Sequence, residues 1–182
     1  MMKTILGFIA GIALFVILAL VFAPQLMLKE YPSPFGVEET AARVQANIQM
    51  LASRGWKLSA LRNPAAAVNA GGTNVPPTLL VEACSTTYSG PLMKDDETRI
   101  LSILMPCTIT IYKKDNGKTY IGTMNSGLVG RMFGAKVGKI MAEVAKDQKE
   151  FVKMDPSKPA PPLIRTRVGG GGGKGGKADA GC

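Results

Sequence analysis

Residues 107–124 constrain this chain more than any other stretch. Ile109 and Ile111 alternate with Thr108, Thr110 and Tyr112, the period-two pattern of a strand with one buried face. Asp115, Asn116 and Gly117 follow, residues that tolerate the positive φ a tight primed turn requires. Lys118 to Met124 then reads as the return strand, with Tyr120, Gly122 and Met124 on one side and Ile121 and Thr123 on the other. The sequence therefore predicts a β-hairpin, around which any fold has to be assembled.

Composition narrows the chemistry available. The chain has no histidine, which removes the commonest general base and the commonest metal ligand. Any enzymatic step would fall to Lys, Asp, Glu, Cys or Tyr, and no catalytic set of these is apparent. The formal net charge of +9 divides into +1 over residues 1–32, +5 over 33–153 and +3 over 154–182. Charge spread in this way lacks the clustered Lys and Arg with interleaved aromatics of a nucleic-acid groove, so no nucleic-acid partner is expected.

Ile5 to Ala23 carries no charge and is dense in Ile, Leu, Val, Phe and Ala. As a helix it would extend about 28 Å, close to the ~30 Å hydrocarbon thickness of a bilayer. The apolar run is too long for a cleaved signal peptide, and Pro24 follows the only small-residue cleavage site. A single-pass transmembrane helix over 4–23 is expected. The short basic amino terminus at Lys3 favours a soluble domain on the outer, periplasmic face of a bacterial inner membrane. Gly7 and Gly11 have the spacing that lets two membrane helices approach closely.

Met27 to Tyr31 reads as a first strand, ended by Pro32 and Pro34. Val37, Ala41, Val44, Ile48 and Leu51 form one apolar stripe of a helix, with Glu38 and Glu39 in its first turn and Gly55 as a left-handed stop. Strands are expected over Trp56–Leu61 and Thr78–Cys84, with one helical turn at Ala65–Val68. Ser89-Gly90-Pro91 reads as a turn, and Asp95-Asp96-Glu97 as the start of a short helix. Val129, Met132, Phe133, Val137, Ile140 and Val144 make a second helical stripe. Residues 154–182, rich in Pro, Gly and Lys, read as a disordered tail. The expected fold is α+β: a curved antiparallel sheet with helices on one face, in the order β-α-β-β-β-β-α over 27–153, preceded by the transmembrane helix.

Three blocks carry a family resemblance. Ser33 to Thr40 opens an amphipathic helix closed by Gly55, Pro76-Pro77 precedes a strand, and Leu104-Met105-Pro106 leads into the strand and turn of Thr108 to Lys118. Together they resemble domain-of-unknown-function family 302 over about residues 27–151. The resemblance implies a compact α+β fold related in shape to half of the TATA-binding protein, and a tendency to form homodimers. It implies no reaction. The departure is the pair of cysteines flanking the central segment.

Cys84 ends one expected strand and Cys107 begins another, so antiparallel pairing would put them at one end of the sheet. The readings that stay open are two buried thiols or a structural disulfide, a redox-active dithiol, a soft copper site assisted by Met93, Met105 or Met124, or no proximity at all. Gly134 to Ile140 fails as a phosphate loop, since three residues stand between its glycines and Ile140 stands where Ser or Thr belongs. Asp95, Asp96 and Glu97 are consecutive and share no side of a helix. Trp56, Tyr31, Tyr88, Tyr112 and Tyr120 serve either as packing or as the lining of an apolar pocket. Arg165, Arg167, Lys174 and Lys177 form a glycine-diluted basic tail ending at Cys182. The function expected is a membrane-anchored, non-enzymatic binding or accessory domain, with thiol redox or copper handling at Cys84 and Cys107 as the alternative. No resident cofactor is expected beyond that copper.

Overall fold

The computed structural model describes residues 2–165, excluding the side chains of residues 2–6, 10 and 24. Its centre is a five-stranded, wholly antiparallel sheet: β1 (Leu28–Ser33), β2 (Trp56–Arg62), β3 (Thr78–Ser85), β4 (Cys107–Lys113) and β5 (Thr119–Met124). The strands lie in the order β1-β5-β4-β3-β2. The expected hairpin is β4–β5, with Ile111 opposite Ile121 and Tyr112 opposite Tyr120. Val81 pairs with Ile109 on the next strand, and these four β-branched side chains, all inaccessible to solvent, form the middle of the core. Each contributes about 1.5–3 kcal/mol by burial. Pro32, expected to end the first strand, lies within it opposite Tyr120. β1 is an edge strand, where a residue without an N–H is tolerated.

Two helices cover the apolar face. α2 (Val37–Met50) buries Ala41, Val44 and Ile48, and α7 (Gly134–Phe151) buries Val137, Met141, Val144 and Phe151. Gly55 at φ 77° ends the 3-10 turn that follows α2. A Cβ at Gly55 would meet Thr87 Oγ1 at 2.6 Å, so both conformation and space demand glycine. α3 (Pro64–Ala70) is capped by Asn63, whose side chain accepts from the Ala66 N–H at 2.9 Å.

Two helical expectations are corrected. Ser89-Gly90-Pro91 is not a turn but part of α4 (Thr86–Lys94), which runs into α5 (Asp96–Arg99) and the 3-10 segment Ile100–Leu104. Pro91 is in the sixth position of α4, where the missing N–H and the ring disrupt only a short helix. The second stripe is two helices, because the chain breaks between α6 (Ser126–Arg131) and α7, with Gly134 at φ 90°. Met132 and Phe133 are consequently exposed.

Residues 154–165, assigned from sequence to the disordered tail, are a strap across α2. Gln45 donates to the Ile164 carbonyl at 2.8 Å and accepts from the Ile164 N–H at 2.9 Å. Arg43, stacked over Phe35 at 3.9 Å, donates to the carbonyls of Asp155 and Lys158. Asn47 donates to the Phe151 and Lys153 carbonyls. The buried Gln45 and Arg43, with the half-buried Asn47, thus satisfy a segment with no regular structure of its own. Residues 166–182, with Arg167, Lys174, Lys177 and Cys182, lie outside the described residues.

The amino-terminal segment is one helix, α1 (Met2–Met27). Among the described residues no helix is long and apolar enough to cross a membrane. The span expected over 4–23 includes positions whose side chains lie outside them. Those α1 side chains that are described include Phe8, Phe15 and Leu20, each 71% exposed.

Candidate functional site

Above the ends of β2, β3 and β4 a small apolar cavity opens between the sheet, α4 and the α6–α7 pair. Its volume is about 40 Å³, and its walls include Trp56, Leu92, Leu104, Cys107, Val137 and Met141. A space of that size holds two or three water-sized groups, and its lining offers them few polar partners, so it suits apolar occupants. The segments that form its walls also carry exposed apolar side chains: Ile100, Ile103 and Met132 are 76%, 84% and 70% exposed. Scattered apolar residues are ordinary on a surface, but here they flank a concave apolar site.

One wall is held by a buried carboxylate. Asp147 of α7 is inaccessible to solvent, and both its oxygens are occupied. Arg54 Nη1 donates to Oδ1, while Trp56 Nε1 and Tyr88 Oη donate to Oδ2 at 2.8 Å and 3.0 Å. Burial, together with the Asp147 carboxylate, pushes the Tyr88 hydroxyl above its ordinary pKa, which keeps it a donor. Trp56 also meets Phe151 edge-on at 4.8 Å between ring centres, and Tyr88 at 6.0 Å. A carboxylate buried under three side-chain donors positions the rings around it and is closed off from solvent.

Cys84 and Cys107 do fall at the same end of neighbouring strands, as expected. The β3–β4 register nevertheless pairs Cys107 with Ala83, which puts Cys84 one residue out of step and on the alternate side of the pleat. They are not bridged to each other: Cys84 is disulfide-bonded, whereas Cys107 is a free thiol. Burial pushes the Cys107 pKa up to about 11, so at neutral pH it is a thiol and a poor nucleophile or metal ligand. Of the three methionines considered with them, Met105 lines the cavity beside both cysteines, but Met93 and Met124 do not. Among the described residues no group of three or more His, Cys, Asp or Glu is placed to hold a metal ion.

The aromatic set divides between the two faces of the sheet. Trp56 and Tyr88 line the cavity, and Tyr31 packs on the core. On the opposite face Tyr112 and Tyr120 stack at 6.2 Å, with Lys114 over the Tyr120 ring at 4.2 Å. Glu30 accepts hydrogen bonds from Tyr112 and Lys114, which hold its carboxyl below the usual range. Asp95 pairs with Lys136, which joins the start of α5 to α7. The sequence reading missed Asp147, although a signal was present. Val144, Asp147 and Phe151 follow at steps of three and four, so a carboxylate interrupts an apolar stripe.

The profile described as "Domain of unknown function DUF302" matches residues 29–154. Among solved structures the fold is similar to the crystal structure of an uncharacterized conserved protein DUF302 from Bacillus stearothermophilus. That similarity has 17% identity and a TM-score of 0.60, covering 69% of this chain and 95% of that one. No curated protein matches the chain. The match over most of its length makes the chain a member of the DUF302 family.

Proposed function

Starting from a DUF302 domain that follows an apolar helix, we propose that this protein is a single-pass, membrane-anchored, non-enzymatic binding domain with an apolar guest. The observation that carries the proposal is the cavity beside Trp56, open at an apolar rim and backed by a carboxylate buried under three donors. A thin apolar group, such as the end of an alkyl chain, suits a volume of about 40 Å³. The anchor is supported by α1, whose described side chains from Phe8 to Phe22 are apolar and largely exposed; water would penalise such a surface and lipid would accept it.

In this reading the domain lies on the periplasmic side of a bacterial inner membrane. Two copies associate as a homodimer through the exposed Ile100, Ile103 and Met132. Extraction of membranes with alkaline carbonate tests the anchor: the full chain is expected to stay with the lipid, and release into the supernatant would refute anchoring. Alkaline phosphatase fused after Arg165 is expected to be active; an inactive fusion beside an active cytoplasmic reporter would reverse the orientation.

A further inference from the structure

Where α1 ends, the structure gathers positive charge. Asn125 is the fixed point: its N–H donates to the Met27 carbonyl at 2.7 Å and its Nδ2 to the Leu26 carbonyl at 2.8 Å. Asn125 therefore ties the last turn of α1 to the start of α6. The same Asn125 forms one wall of an open groove of about 340 Å³ between α6 and α7. Lys29, Arg131, Lys146 and Lys149 line that groove, and no carboxylate does. Glu143 binds Lys146 at 2.6 Å; among the described residues Lys29, Arg131 and Lys149 have no carboxylate within 4 Å. Lys29 stands two residues beyond the end of α1. Small residues, Gly127, Ala142 and Ala145, line the groove where α6 and α7 approach closely, a Cβ built at Gly127 lying 3.3 Å from Ala145.

We propose that this groove seats the phosphate headgroup of an anionic phospholipid in the leaflet from which α1 emerges. The inference rests on the anchored reading above. On that reading the four cations of the groove stand beside the exit of an apolar helix, and attraction to anionic lipid is least screened within about one Debye length of a membrane surface, roughly 8 Å. A shallow, solvent-open groove with small residues on its floor admits a phosphate without a fitted pocket. Charge at the base of α1 then sets how the domain stands on the membrane, beyond the tether itself.

The test is native mass spectrometry of the full chain in neutral detergent, after equal addition of phosphatidylglycerol and phosphatidylcholine. The wild type is expected to retain phosphatidylglycerol over phosphatidylcholine by roughly tenfold or more. K29Q/R131Q/K149Q is expected to bring the two lipids to parity, while K29R/K149R keeps the preference and controls for folding. Equal retention by the wild type, or an undiminished preference in the neutral variant, would overturn the proposal. Loss of phosphatidylglycerol to millimolar inorganic phosphate would also overturn it, in favour of a free-anion site; displacement only by an acidic protein or nucleic acid would reassign the groove to that partner. Carbonate extraction separates the two readings. Extractable protein that keeps the lipid preference counts against the anchor alone, and resistant protein without a preference counts against the groove alone.

Discussion

Trp56 Nε1 donates to Asp147 Oδ2 at 2.8 Å, tying the first residue of β2 to the penultimate turn of α7 across 91 positions of chain. This bond fixes the indole that walls the cavity, and Arg54 and Tyr88 converge on the same carboxylate. Asp147→Ala removes the acceptor and leaves the Trp56 donor buried, so it is expected to cost about 3 kcal/mol in urea unfolding. Arg54, whose side chain is 52% exposed, is expected to cost under about 1 kcal/mol when replaced by Gln. A loss at Asp147 as small as that at Arg54 would contradict the buried strut.

Alkaline pH is expected to unfold the protein in a predictable window. Cys107 titrates near 9 in an unfolded chain and about 11 in the fold, because burial disfavours its thiolate. Below pH 9 both states are protonated, so its stabilising effect is fully present. Between about 9 and 11 the unfolded state ionises first, and stability falls as pH rises, by something on the order of 2 kcal/mol. Tyr112, raised to about 12, extends the decline. Cys107→Ala is expected to flatten the 9–11 limb of a pH series of thermal melts and leave the later limb intact.

The strap is expected to stabilise α2. Gln45 is 1% exposed, and its pair of hydrogen bonds to Ile164 has no alternative partner in the fold. Gln45→Ala, or truncation after Lys153, is expected to cost about 1–3 kcal/mol. Hydrogen exchange should show the loss confined to α2; uniform protection across the sheet and α2 after truncation would deny the strap a structural role.

Close contact of α6 with α7 depends on Gly130. A Cβ there would lie 2.2 Å from Met141 Cβ, too near for a rotamer change to relieve. Gly130→Ala is expected to force the helices apart at a cost of about 1–3 kcal/mol, despite alanine's better helix propensity. A thermal melt unchanged from wild type would contradict the packing.

Much of the fold was legible because it is written in local patterns. Ile109, Ile111 and Ile121 around Asp115-Asn116-Gly117 encode the hairpin, and the Val37–Ile48 stripe encodes α2. What escaped depends on distant pairs. The strap has no periodicity, and its order comes from Arg43, Gln45 and Asn47, more than a hundred positions away. The break at Met132–Phe133 was hidden because both residues are apolar and fall at helical spacing; the positive φ of Gly134 decides it. For the cysteines, sequence located both at one sheet end but could not give the one-residue register offset that separates them. Asp147 could be read as a misfit in its stripe, but its three donors lie on other elements.

The binding proposal is tested most directly by Trp56, the only tryptophan in the chain, which lines the cavity. Emission is followed for the full chain in lipid nanodiscs while a medium-chain fatty acid brominated at its methyl end is added. The account predicts saturable quenching, weaker for the same acid brominated beside its carboxyl group and abolished by Cys107→Leu, which fills the cavity, but not by Cys107→Ser. Quenching that rises linearly with either acid and is indifferent to Cys107→Leu would contradict an apolar binding site beside Trp56.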